Sequence, residues 1–404
     1  MKIHFTDTLF ALSYALDCVE HDVLGVTTHH GKRVAALTLM LAQEEGLSLP
    51  DEDIQALAAC AILHDCALTE YLEDEYQGTF IPSLETTPAH TEKHCEFGEK
   101  HIAHLPIQSP LLQGAVLYHH ENTDGSGPFG KKGAEIPLSA RLIHMADSID
   151  ANYDLSLLSK EKLQALSDHV TQNCNILFAE KEVNAFMSLQ KKGKFKLLHT
   201  DRVDACLSNM IPSGTIECTP AQLIDFATIF AIITDYKSHF TRTHSIGIAT
   251  KAKEMAVFYG ADDETAARFY FAGALHDIGK LVVDRDILEK PDKLDAHEYR
   301  HIQTHAYHTY RILSAIPEFD DITAWASYHH EKLDGTGYPF GLKADKLDHF
   351  SRVLACLDIY QALTEERPYK SGMTHEKTIA ILDEMVQNGK LDGSIVADLN
   401  TVFS

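Results

Sequence analysis

The chain of 404 residues exceeds what one hydrophobic core usually supports, so two domains of roughly 200 residues are expected. Its formal net charge of -24 disfavours a protein that coats long nucleic acid, because that mode needs many Lys and Arg to displace counterions. A small anionic substrate remains compatible if bound cations supply the local positive charge, and with no basic leader or apolar run near the ~18 residues of a membrane span, a cytoplasmic protein without membrane partners is expected.

In chain order, Asp7 is expected to cap a first helix whose apolar face includes Phe10, Tyr14 and Cys18 and which ends at Gly25. A second helix runs from about His30 through Val34, Leu37 and Leu41 to Gly46. After Asp51, the stripe Ile54, Leu57, Ala58, Ala61 and Ile62 predicts a buried helix that delivers His64 and Asp65 at its C-terminal end. Residues 70–92 are irregular, with Gly78, Pro82 and Pro88, and His94 opens the next helix. A short helix ends at Tyr118-His119-His120, a turn follows at Asp124-Gly125-Ser126-Gly127-Pro128, and Ser139 to Asp150 is again helical. Beyond it, 151–210 carries weaker helical patterning.

Pro212, Gly214 and Pro220 mark a boundary between domains at 1–210 and 215–404. Thr219-Pro220-Ala221-Gln222 reads as a capping box that launches a helix through Leu223, Phe226, Phe230 and Ile233. Glu376 to Gln387 forms a closing helix stopped by Gly389. No convincing period-2 stretch appears, so the fold class is all-α, two helical bundles in tandem.

Eight cysteines lack CxxC spacing and read as buried reduced thiols, whereas 25 histidines include the doublets His29-His30, His119-His120 and His329-His330. The histidines repeat with carboxylates. His30, His64, Asp65, His94, His119, His120 and Asp147 recur as His244, His276, Asp277, His305, His329, His330 and Asp358, about 210 to 214 positions later. Imidazole and carboxylate without thiolate suit Fe, Mn, Ni or Co. Seven ligands are too many for one ion with open positions and fit two ions that share a carboxylate. Such a pair lowers the pKa of a water between them and clamps the oxygens of an in-line phosphoryl displacement. Lys280, three residues after Asp277, is placed to neutralise a phosphate oxygen or protonate the leaving alkoxide.

The second half, from about His244 to Lys370, resembles the HD-GYP subgroup of the HD-domain phosphohydrolases. The matching residues are His244, His276-Asp277-Ile278-Gly279-Lys280, Thr304-His305, Tyr328-His329-His330-Glu331, Asp334-Gly335-Thr336-Gly337-Tyr338-Pro339, Asp358, Ala362-Leu363-Thr364 and Arg367-Pro368-Tyr369-Lys370. The resemblance implies tandem HD-type bundles and hydrolysis of a cyclic dinucleotide, c-di-GMP or 3'3'-cGAMP, to a linear 5'-phosphorylated product. It assigns His244, His276, Asp277 and Asp358 to one ion and His305, His329 and His330 to another, with Asp277 bridging. Arg367 and Lys370 then hold substrate phosphates. Phe240 stands where some relatives carry a Glu for a third ion, and Gln361 stands where the family usually has an aspartate.

The first half resembles the family less closely. It has every ligand position, a second metal site expected to take one or two ions, but Leu68 replaces the lysine and Pro128 the tyrosine. Ring opening is therefore expected in the second domain, with a 5'-nucleotidase acting on its product in the first. Two alternatives remain open: a first domain that only regulates or dimerises, and a general nucleotide phosphohydrolase. A homodimer is compatible with the sequence but not implied by it.

Overall fold

The computed structural model describes residues 1–24, 27–68, 70–71, 92–236, 244–288, 290, 292–366 and 371–404. Two compact units emerge. One is Thr8–Ile216, and the other joins Met1–Asp7 to Glu217–Ser404. The amino terminus belongs with the second unit through local bonds: the Met1 ammonium donates to Cys218 O at 3.1 Å, and the Phe5 ring lies 5.5 Å from that of Phe226. The strands β1 (Lys2–Ile3) and β2 (Ile216–Glu217) form a two-stranded sheet, and all other regular elements among the described residues are helical.

The first helix, α1 (Phe5–Leu24), starts before Asp7, so Asp7 sits in its first turn, where its charge favours the helix dipole, and is not the cap. The expected stop at Gly25 and the irregular segment at Gly78, Pro82 and Pro88 lie outside the described residues. Within the first unit, α2 (His30–Glu44) is the centre. Every residue from His30 to Ala42 is buried, because α3 (Asp51–Ile62) and the later helices α5 (Leu138–Tyr153), α7 (Glu180–Lys191) and α8 (Val203–Met210) pack around it. Between them in sequence lie α4 (Glu92–Ile102) and α6 (Lys160–Gln172). The weak patterning of 151–210 thus conceals three helices whose exposed faces dilute the apolar signal.

The short helix expected before His119 is not one. Only Pro110–Leu112 forms a 3-10 turn, and Gly114, at φ +73°, breaks any continuation. The second unit has Ala324 at the matching place and does form a helix there, Asp320–Ser327.

In the second unit, α9 (Pro220–Tyr236) and α10 (His244–Phe258) both pack on α11 (Asp263–Leu275). The Thr219–Gln222 capping box is present: Gln222 N donates to Thr219 Oγ1 at 3.2 Å, and Thr219 N donates back to Gln222 Oε1 at 3.0 Å. Asp262 caps α11 by accepting from Thr265 N. Ala296–Leu313 begins with a second capping box, Asp295 and Glu298. His349–Thr364 carries Asp358, and beyond the closing helix His375–Gln387 a further helix, Gly393–Val402, completes the unit. No helix among the described residues is long and apolar enough to cross a membrane.

The close approach that sets ligand spacing falls at Gly279. A β-carbon there would lie 2.0 Å from His305 O and 2.7 Å from Thr309 N. Thr309 closes the gap, accepting from Gly279 N at 3.1 Å and donating to His276 O at 2.9 Å. In the first unit the corresponding positions are Ala67 and Gly98, and a β-carbon added to Gly98 would meet Val116 at 2.8 Å and His64 O at 3.7 Å. Gly279→Ala is therefore expected to push the helix bearing His305 away from Asp277 and to destabilise the chain by about 1–3 kcal/mol, the usual cost of overpacking. A urea denaturation midpoint unchanged from wild type would contradict this.

Candidate metal centres

Each His-Asp dyad lies at the C-terminal end of its helix, as expected, with the aspartate just past the last turn. Asp277 follows the end of α11 at φ -101°, ψ 7°, in the bridge region where many active-site residues sit. This geometry frees both side chains from the helix surface and turns them into the bundle. His64 and Asp65 similarly follow the end of α3 at Ile62.

The second unit brings all seven expected ligands together. Asp277 divides its oxygens between two groups. Oδ2 lies 3.2 Å from His276 Nε2 and 3.9 Å from His244 Nε2, while Oδ1 lies 3.4 Å from His305 Nε2 and 3.9 Å from His329 Nε2. Asp358 Oδ1 faces His244 Nε2 at 3.5 Å, and its Oδ2 faces His330 Nδ1, also at 3.5 Å. The His305 and His329 Nε2 atoms approach to 3.3 Å. Lys280 reaches back one turn, placing Nζ 2.5 Å from Asp277 Oδ2.

The first unit repeats the plan. Asp65 Oδ2 lies 3.6 Å from His64 Nε2, while Oδ1 lies 3.4 Å from His94 Nε2 and 3.5 Å from His119 Nε2. Asp147 Oδ1 takes the other place, 3.3 Å from His30 Nε2 and 3.5 Å from His64 Nε2. The ring pairs match as well. His30 and His64 centroids are 5.5 Å apart against 5.4 Å for His244 and His276, and the two doublets are spaced 4.0 and 4.1 Å.

One local device aims five of the ten rings. His64, His119, His276, His305 and His329 each direct Nδ1 at the backbone carbonyl three residues earlier, at 3.0, 2.6, 2.8, 2.6 and 2.6 Å. A proton held on Nδ1 leaves the Nε2 lone pair free to bind a cation. His64 Nε2, His119 Nε2, His276 Nε2, Asp65 Oδ1 and Asp277 Oδ1 are all buried and make no hydrogen bond. Buried polar atoms left this way are costly, so the donor set fits a metal that would satisfy them.

The electrostatics divide the site. Burial would lower His244, but Asp358 and Glu365 raise it to about 9. Burial would raise the Asp277 carboxyl, but His276 and Lys280 hold it well below the usual carboxylate range. Burial likewise opposes ionisation of Asp358, which His244 and the other nearby imidazoles keep well below that range. Burial pushes His305 down to about 4 and His330 to about 3, keeping them neutral as metal ligation requires.

Three partners were not legible as such from the sequence. Glu331, 1 % exposed, accepts from the backbone N–H groups of Phe340, Gly341 and Leu342 and so clasps the loop that carries Tyr338. The Tyr338 ring lies 4.7 Å from that of His330. Glu121 does the same in the first unit, accepting from Phe129 N and Lys131 N. The third concerns Gln361. In the first unit Asp150 Oδ2 accepts from His30 Nδ1 at 2.7 Å, and Arg33 Nε donates to Asp150 Oδ1 at 2.8 Å. In the second unit Gln361 takes the place of that aspartate and Gly247 that of Arg33. Glu365, one turn further on, faces His244 Nδ1 at 3.2 Å instead, and Gln361 Nε2 donates to Glu365 Oε1 at 3.4 Å.

Glu365→Ala is accordingly expected to weaken metal binding at the His244 side by about 10- to 100-fold. Adding Gln361→Asp should restore part of the loss by recreating the His30–Asp150 arrangement. Metal titration of the two variants checks both, and equal affinities in wild type and Glu365→Ala would exclude the role.

Arg367 and Lys370, expected to hold substrate phosphates, lie outside the described residues, as does Phe240.

Two family models described as "HD domain" match residues 27–152 and 228–395. The 3'3'-cGAMP-specific phosphodiesterase 1 of Vibrio cholerae is 29% identical over 98% of this chain and 90% of its own. The 3'3'-cGAMP-specific phosphodiesterase 3 of the same organism is 33% identical over 72% of this chain and 63% of its own. A cyclic di-GMP phosphodiesterase of Pseudomonas aeruginosa is 33% identical over 39% of this chain and 37% of its own. A crystal structure of a cyclic GMP-AMP specific phosphodiesterase from V. cholerae superposes with a TM-score of 0.66 at 23% identity, covering 100% of this chain and 98% of that one, which establishes a shared fold.

Proposed function

Because the chain carries two HD domains in tandem and belongs to that family of metal-dependent phosphohydrolases, we infer that it is a phosphodiesterase of cyclic dinucleotides. Ring opening is assigned to the C-terminal centre, with His244, His276, Asp277 and Asp358 around one ion and His305, His329 and His330 around a second. The observation that carries this reading is the division of Asp277, whose two oxygens face two separate groups of imidazoles. Imidazole and carboxylate donors favour Fe, Mn, Ni or Co at these places.

When bound, such ions polarise a phosphoryl oxygen and lower the pKa of a nearby water, supplying nucleophile and charge stabilisation together. The chain's own residues do the rest. Asp277 holds the two halves of the centre in register, and Lys280 presents an ammonium to the negative charge that grows on the phosphoryl oxygens. Tyr338, over His330, walls the solvent side, since His330 is the most exposed of the seven ligands. In the balanced step, water oxygen bonds to phosphorus, the bond from phosphorus to the ribose 3'-oxygen breaks, and that oxygen leaves with a proton. The product is a linear dinucleotide with a 5'-phosphate. Arg367 and Lys370 are assigned to the substrate phosphates from sequence.

A second reading concerns the N-terminal centre. Asp65 divides its oxygens as Asp277 does, which supports a working metal site of one or two ions, yet Leu68, 5 % exposed, fills the place of Lys280. We assign it removal of the 5'-phosphate from the linear product. Product analysis by mass spectrometry, with 3'3'-cGAMP and c-di-GMP as substrates, tests both parts. Intact substrate after incubation with the metal-loaded chain sinks the first, and free phosphate released at an undiminished rate by His64→Ala sinks the second.

A further inference from the structure

Beside the Leu68–Lys280 and Asp150–Gln361 exchanges, the two centres differ at the residue that follows the third histidine of each set. Cys95 follows His94 directly, and the corresponding residue after His305 is Ala306. Cys95 is buried, with Sγ 3.5 Å from His94 Nε2 and 3.8 Å from His119 Nδ1. One ligand atom from each of His94, Cys95, His119 and His120 lies within 4.8 Å of the others. In a tetrahedral zinc site, bonds of about 2.3 Å to sulfur and about 2.0 Å to nitrogen place those two atoms roughly 3.5 Å apart. The His94–Cys95 spacing already has that value. His119 has committed Nδ1 to Val116 O at 2.6 Å, and its Nε2 is buried without a hydrogen bond. Asp65 Oδ1, which faces both of these histidines, is buried and unbonded too.

We propose that Cys95 is a metal ligand, so that the His94 side of the N-terminal centre is a mixed thiolate and imidazole site selective for zinc-class ions, while the C-terminal centre, with alanine there, has nitrogen and oxygen donors only. Thiolate is the softest donor available to a protein and shifts preference toward zinc and away from manganese. One chain then carries two centres of the same plan loaded with different metals. The cysteine would enter the site as thiolate, its proton released to solvent as the ion binds.

This rests on the reading that the N-terminal centre holds metal, and the test separates the two. The full chain is reconstituted with cobalt(II), and bound metal and the near-ultraviolet thiolate-to-cobalt charge-transfer band are measured together. Wild type is expected to show the band, and Cys95→Ala to lose it. With zinc, X-ray absorption should find sulfur at about 2.3 Å in the wild type. In competition, Cys95→Ala should lower the zinc-to-manganese ratio at this centre by about tenfold or more, given that even outer partners of metal ligands are worth about 10- to 100-fold. Cobalt that is lost in His64→Ala but gives no charge-transfer band in wild type overturns the cysteine ligand alone, as does a band that persists in Cys95→Ala. Equal cobalt content in wild type and in both His64→Ala and Asp65→Asn overturns metal binding by the N-terminal centre and the proposal with it.

Discussion

Replacing Asp277 by asparagine is expected to stop ring opening, lowering hydrolysis of 3'3'-cGAMP and c-di-GMP by on the order of 10³-fold or more, beyond the ~10- to 100-fold usual for residues one layer out from a metal. The argument is geometric. Asp277 is 2 % exposed, and its two oxygens lie among four imidazoles and an ammonium. Asparagine keeps the shape but brings one oxygen and one N–H₂, so one of the two facing groups meets a donor where it needs an acceptor. It also removes the negative charge that offsets Lys280, leaving that cation without its nearest counter-charge in a largely desolvated site. Asp65→Asn makes the complementary prediction: ring opening retained, release of phosphate from the linear product lost. Mass spectrometry of both variants checks the pair, and a ring-opening defect of equal size in Asp65→Asn would refute the division of labour.

Lys280→Met should leave metal content unchanged and lower kcat for ring opening by about 10²- to 10³-fold, the range found when one stabilising donor is removed from a transition state. Burial alone would lower the Lys280 pKa, but Asp277 beside it, with Asp358 and Asp235 beyond, raises it, so the side chain enters the site as an ammonium. It is thus placed to neutralise charge or give up a proton, and is unsuited to abstract one. Methionine keeps most of the stem volume and deletes the charge, so metal content should hold while kcat falls more than KM rises. Loss of metal in step with activity would instead make Lys280 a support for Asp277.

The two clusters of histidine and aspartate were legible because a repeated spacing survives any error in helix boundaries. His30 and His244 begin helices, the dyads follow helix ends, and the doublets precede turns, so the same gaps recur whatever the exact element. What the sequence hid was geometry with no periodic signature. The helix expected before His119 fails at one glycine with positive φ, a property of one residue in its place. The aspartate of each dyad lies just past the last turn, and an apolar stripe does not report its own final residue. Glu365 serves His244 only because Gln361 sits one turn earlier on the same side, while in the first unit the partner is at the other place and is backed by Arg33 from another helix. Such swaps between elements leave no local mark in a single chain. Cys95 is buried, as the sequence pattern of the cysteines predicts, but its neighbours are imidazoles.

The short tethers from Nδ1 to the carbonyl three residues back carry a kinetic implication. Five rings are each tethered within their own turn of chain, three residues back. A small sliding of one helix against another therefore changes how far apart the nitrogens stand without altering which nitrogen is offered. Ion exchange should accordingly follow the breathing of the bundle, slow wherever amide protons exchange slowly, and not the fast flipping of side chains.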